Sequence, residues 1–173
     1  MKQLLFGLPQ GMPTRQWELR EEAARRETEA VTAYIRHGVS QGRFYYWNKS
    51  GALMSRLDGV LVEGNALVKA VEVKWRRFNW DELVGPRKGE LMIPADKILA
   101  GQAFAYLFKL PTMLLTLLDD CLVAQMIVSE KGEKLNVLRE AYEQSDKSTD
   151  GGRIYRDNCY IGIEGAERIA IGL

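Results

Sequence analysis

Residues 54–76 read MSRLDGVLVEGNALVKAVEVKWR, and their alternation decides the fold. Apolar residues recur at the period of two that a half-buried strand requires, and Glu63-Gly64-Asn65 breaks the run where a tight turn would fall. The stretch predicts two strands, residues 52–62 and 66–75, paired as a hairpin. In the second strand Val68, Ala70, Glu72 and Lys74 share one face, and Leu67, Lys69, Val71, Val73 and Trp75 share the other. Charged groups stand where apolar ones are expected at Asp58, Glu72 and Lys74. Asp58 and Glu72 each lie seven residues from Asn65, so they can face one another across the ladder. Two carboxylates and an ammonium on neighbouring strands are unfavourable to desolvate. A metal ion that draws the carboxylates together would offset that penalty.

Working outward, residues 43–47 predict a further strand, joined through the turn Asn48-Lys49-Ser50-Gly51, so that three strands form an antiparallel meander. Residues 16–36 predict a helix rich in Glu, Arg and Ala that Gly38 ends. Its stripe of Ala30, Ala33 and Tyr34 packs on the core; Glu29 borders the stripe, and Glu22 and Glu27 are further acids on the same helix. Residues 1–14, with Gly7, Pro9, Gly11 and Pro13, predict an irregular arm, leaving 15–173 as one domain.

Downstream, residues 76–92 predict a polar connection, basic at Arg76, Arg77, Arg87 and Lys88 and aromatic at Phe78 and Trp80. Pro94 then precedes a helix with Asp96 as N-cap, which Pro111 stops. Strands follow at 112–118 and 121–129, then a strand giving way to a helix over 134–144, a loop over 145–152, a last strand over 153–163 and a tail from 165. Residues 98–118 are apolar enough to suggest a membrane span, but Gln102, Lys109 and Pro111 interrupt them, so a buried helix and strand are expected instead.

The composition is that of a globular domain: 173 residues, 46% hydrophobic, 27% charged, with a net charge of +1 that advertises neither a nucleic-acid nor a membrane partner globally. Any polyanionic partner must be met by a local patch. Cys121 and Cys159 form no CxxC pair, which argues against a cysteine-based metal site, and the single histidine, His37, leaves little material for a histidine metal site or a Ser-His triad. His37, beside Gly38, reads as a helix-end or surface residue. The opening residues hold too short an apolar run for a signal peptide, and a cytoplasmic (or phage-encoded, intracellular) setting with no membrane partner is expected.

Taken together, a helix with Glu29, then Asp58, then Glu72-Val73-Lys74, then Gln102-Ala103-Phe104-Ala105-Tyr106 resembles the PD-(D/E)XK nuclease superfamily. The Gln-x-x-x-Tyr element is similar to the RecB-type and lambda-exonuclease-type branches. The likeness covers about residues 16–118, and the first motif carries Leu57-Asp58 in place of Pro-Asp. The resemblance implies an α/β fold of restriction-endonuclease-like core: a mixed central sheet, built on the antiparallel meander, flanked by helices. It also implies a Mg²⁺-dependent DNA nuclease, with Mn²⁺ able to substitute.

In the roles that the resemblance implies, Asp58, Glu72 and the Val73 carbonyl hold the metal. Lys74 orients or deprotonates the attacking water or stabilises charge at phosphorus. Glu29 supports a second metal, and Gln102 and Tyr106 position the lysine or touch the DNA backbone. Arg76, Arg77, Arg87, Lys88 and Lys97 are candidate nucleic-acid contacts, and the neighbouring aromatics could stack on bases. Exonuclease and structure-selective endonuclease in DNA recombination, repair or phage DNA processing both stay open, acting as a homo-oligomer or within a larger replication or recombination complex. The alternatives are a catalytically inactive nucleic-acid-binding module on the same fold and a structural protein in which Lys74 merely pairs with an acid.

Overall fold

The alternation around Asn65 does fold into a hairpin. In the computed structural model, which describes residues 14–38, 42–46, 56–146 and 153–171, β1 (Gly42–Tyr46), β2 (Gly59–Glu63) and β3 (Ala66–Trp75) form the antiparallel meander. β2 is shorter than the sequence suggests, because residues 56–58 lead into it as a turn. Gly59 opens β2 for a steric reason. A Cβ there would lie 2.3 Å from the Tyr45 carbonyl oxygen and 2.6 Å from the Phe44 ring. The expected turn at 48–51 lies outside the described residues, as does the expected arm at 1–14 except Thr14, which opens the first helix.

A bulge sets the register that matters. Val62 pairs with Leu67 but Leu61 pairs with Lys69, so Val68 is the extra residue. Two consequences follow. The face assignment from sequence holds from Lys69 to Trp75, but before the bulge it inverts: Leu67 packs beside Ala70 and Phe104, and Val68 beside Val71. The pairing Gly59 with Val71, continued one step, also sets Asp58 opposite Glu72. A bulge-free ladder would have offset the two acids by one residue and sent them to opposite faces.

β3 then pairs in parallel with β5 (Thr112–Leu117), which demands a long crossover. That crossover holds the expected helix, α3 (Ala95–Phe108), and, within the expected polar connection, α2 (Trp80–Val84) and β4 (Glu90–Pro94). β6 (Cys121–Val128) pairs antiparallel with β5, and β9 (Glu167–Ala170) pairs with β6, so the expected C-terminal tail is instead an edge strand. The large sheet runs β1-β2-β3-β5-β6-β9. A second sheet, β4-β8-β7, is built from β4, β8 (Arg153–Gly162) and β7 (Val137–Asp146). β7 is one continuous strand, not a strand followed by a helix.

The helices divide between the two faces of the large sheet. α1 (Thr14–Gly38) lays Ala30, Val31 and Tyr34 on Val71, Val73, Leu115 and Leu117. α3 and the small sheet cover the other face, where Leu114, Val123 and Ile127 meet Ile98, Ile93, Cys159 and Ile161. The α/β class and the mixed sheet flanked by helices are therefore as the sequence predicts. α3 begins at Ala95 with Pro94 as N-cap and no side-chain cap, so Asp96 sits in its first turn and not at the cap; Lys109 closes it in the left-handed conformation. No helix among the described residues is long and apolar enough to cross a membrane.

Candidate active site

Glu72 lies on the α3 face of a central strand and is fully buried, with 0% exposure. Its neighbours on that face of β3 are Ala70 and Lys74, one step away on either side. Asp58 arrives from the adjacent chain just before β2. Its backbone N–H donates to the Val71 carbonyl (3.2 Å), and its Oδ2 accepts from the Val73 N–H (2.8 Å). That bond fixes the carboxylate beside β3.

Three oxygen groups converge on the Lys74 ammonium. Its Nζ donates to the Val73 carbonyl (3.1 Å), makes a close ion pair with Glu72 Oε1, and stands 4.0 Å from Asp58 Oδ2. These are the two carboxylates and the carbonyl that the resemblance assigns to a metal. A second ammonium also reaches Glu72: Lys97, in the first turn of α3, donates to Oε2 at 3.0 Å and pairs with Oε1 at 3.0 Å. Lys97 also donates to the Arg56 carbonyl. Glu72 Oε1 nonetheless lacks an aligned hydrogen bond.

The electrostatics follow from burial. Burial pushes the Glu72 carboxyl above its ordinary range; Lys74 opposes the shift and Asp58 adds to it. Burial works against the Lys74 ammonium too, but Glu72 and Asp58 outweigh it, and its pKa is raised. Lys74 is therefore held as a cation at the centre of the cluster. Arg76, two residues on, is lowered by burial, and its guanidinium donates to the Met92 and Trp75 carbonyls.

Several expected site residues lie elsewhere. Glu29 pairs with Arg25 and Arg26 (both 3.0 Å) on α1, whose packed stripe meets the Val71/Val73 face, opposite to Glu72. Of the other acids on that helix, Glu22 pairs with Arg77 just past the end of β3. Gln102 donates to the Gly132 carbonyl (2.9 Å), and Tyr106 is 76% exposed under the Lys109 ammonium. No hydrogen bond or ion pair among the described residues joins Glu29, Gln102 or Tyr106 to Glu72 or Lys74. Lys97, expected at a nucleic-acid surface, is instead a partner of Glu72; a long side chain leaving the first turn of a helix gives no periodic signal of where it ends.

The basic connection also differs from expectation. Arg87 stacks on Phe78 (4.0 Å), Arg77 on Trp75 (4.7 Å) and Arg168 on Trp80 (4.8 Å). Each aromatic that could have stacked on a base has an arginine over it. His37 sits at the helix end as expected, 3.0 Å from Glu167. No group of three or more His, Cys, Asp or Glu side chains assembles as a metal site among the described residues. The oxygen groups gathered at Lys74 are the Asp58 and Glu72 carboxylates and the Val73 carbonyl.

No protein-family model matches the chain, and no curated protein sequence matches it significantly. The fold does match a solved structure: Hjc, a Holliday junction resolvase from the archaeal hyperthermophile Archaeoglobus fulgidus, at 14% identity with a TM-score of 0.50. The match covers 86% of this chain and 92% of that one. The core is restriction-endonuclease-like. At this identity the likeness concerns the fold alone.

Proposed function

We propose that the chain is a metal-dependent nuclease, one domain over residues 15–173, that hydrolyses phosphodiester bonds in DNA at the Asp58–Glu72–Lys74 cluster. The observation that carries this reading is the convergence of two carboxylates and the Val73 carbonyl on one point, held by the Lys74 ammonium. A buried ion pair is a poor stabiliser beside apolar packing, so a charged trio gathered at a central strand argues for chemistry. All three donors are oxygen, which suits Mg²⁺, with Mn²⁺ as a substitute. Such an ion supplies Lewis acidity toward phosphoryl oxygens and lowers the pKa of water.

The chain's own residues perform the rest. The Val73 N–H orients the Asp58 carboxylate. Lys97 holds Glu72 from the helix side. Lys74 presents a fixed positive charge where a phosphoryl group next to the carboxylates would gather negative charge. The shared fold of a protein named as a Holliday junction resolvase supports branched DNA as one substrate to test.

The test is cleavage of linear, nicked, branched and single-stranded DNA with and without Mg²⁺ or Mn²⁺. Metal-dependent cleavage of at least one is expected; no cleavage of any overturns the reading. A second reading, a catalytically inactive binding module, is favoured by one observation: two ammoniums already neutralise Glu72. Calorimetric titration with Mn²⁺ separates the two, because only the nuclease reading requires an ion to bind.

A further inference from the structure

A groove runs beside the cluster, between the chain that leaves β3 and the outer face of the small sheet. One wall is Arg76, Arg77 and the Pro86-Arg87-Lys88 turn; the other is Glu90 and Met92 of β4, Tyr160 of β8 and Arg139 of β7. The second wall is a consequence of register. Met92 pairs with Tyr160 and Arg139 pairs with Tyr160, so all three side chains stand on one face, while Cys159 and Ile161 turn into the core.

Five lining residues are cationic and one, Glu90, is acidic. The guanidiniums are fixed rather than loose. Arg87 stacks on the Phe78 ring at 4.0 Å from one wall, and Arg139 stacks on the Tyr160 ring at 3.3 Å from the other. Glu90 holds Arg139 from its edge through Nε (3.2 Å) and Nη2 (2.9 Å). Arg76, two residues from Lys74, donates to the Met92 carbonyl and so ties the two walls together.

We propose that this groove seats the phosphodiester backbone of a nucleic-acid strand, through Arg87, Lys88 and Arg139, and does so without reading bases. Fixed guanidiniums on opposite walls suit anionic oxygens, and stacking on rings lowers the freedom lost when a phosphate is bound. The same stacking closes the rings to bases: Phe78 and Tyr160 already carry an arginine each. A strand lying here reaches the cluster through Arg76. The inference rests on the nuclease reading only for the identity of the polyanion.

The experiment measures binding of labelled single strands and the matching duplex to the whole chain by fluorescence anisotropy, in EDTA, across a salt series. Wild-type protein is expected to bind poly-dT and poly-dA strands with affinities within about twofold of each other, and binding weakens with salt. In the Arg87→Gln/Arg139→Gln variant the slope of log affinity against log salt shrinks by about 0.7–0.9 for each phosphate left without its cation. Lys131→Gln, on the exposed turn after β6, leaves the slope unchanged. Arg139 is 48% exposed, so Arg139→Gln alone serves if the double variant melts early.

An unchanged slope, a strong preference for one base, or no binding by wild type overturns the proposal. Binding through the groove without cleavage under any metal sinks the nuclease reading and leaves the groove standing. Cleavage with a slope indifferent to Arg87 and Arg139 does the reverse.

Discussion

Lys97 of α3 donates to Glu72 of β3 at 3.0 Å, so the helix within the crossover carries a counter-charge into the middle of the large sheet. Lys97→Met removes the hydrogen bond to Glu72 Oε2 and leaves Lys74 as the remaining cation, on Oε1. We expect destabilisation by about 1–3 kcal/mol in urea unfolding, the range for a buried acceptor left unpaired. The salt dependence of DNA binding stays as in wild type, since this ammonium is committed to Glu72. A reduced slope would show that Lys97 touches phosphate after all.

Lys74→Ala should abolish metal-dependent cleavage while leaving strand affinity in EDTA within about twofold, because the groove cations contribute the affinity. Cleavage at the wild-type rate by this variant would remove Lys74 from the chemistry.

Asp58 separates two effects. From charge alone, Asp58→Ala is expected to relieve repulsion with Glu72 and raise the melting temperature. The structure sets an opposing effect beside that expectation, because Asp58 Oδ2 accepts the Val73 N–H at 2.8 Å. Asp58→Ala should lower stability by about 1–3 kcal/mol, and Asp58→Asn, which keeps an acceptor, by less. Both should lose Mn²⁺ binding in calorimetry. A more stable Asp58→Ala would show that repulsion outweighs the bond.

Gly101 lies inside α3, where alanine is intrinsically better by about 1 kcal/mol. Its added Cβ would meet Thr112 Oγ1 at 2.9 Å and Val128 Cγ2 at 3.0 Å. Overpacking of this kind costs about 1–3 kcal/mol, so Gly101→Ala should be destabilising on balance. Equilibrium unfolding gives the sign directly.

Cys121 and Cys159 are buried at 1% exposure each, and burial, aided by Asp120 and Glu140 respectively, raises both thiols. The folded state thus prefers the protonated thiols. Their stabilisation is complete below the ordinary thiol pKa and falls as pH rises through the raised one. Iodoacetamide at mildly alkaline pH should label neither cysteine until urea is added. Rapid labelling of the native chain would contradict the burial.

The hairpin and its charged trio are legible in the sequence because strand alternation is a period that three misplaced charges interrupt visibly. The bulge is not, because Val68 is apolar and fits either face. The count of seven residues on each side of Asn65 nonetheless anticipates the facing acids, since the bulge supplies the residue that the two-residue turn omits. β7 reads ambiguously because it is an edge strand: Leu138 and Tyr142, four apart as on a helix face, are both exposed. The stripe beside Glu29 is real, but α1 packs on the far side of the sheet, which only the side chains of Val71 and Val73 foretell.

The parallel neighbourhood of β3 and β5 governs how the site assembles. Asp58 and Glu72 meet within a local hairpin, which closes in about microseconds, whereas Lys97 arrives only after the chain from Arg76 to Pro111 has folded back and docked. Sequence separation thus favours bringing the two acids together while water can still screen their repulsion, with the seal from α3 supplied by the more distant contact.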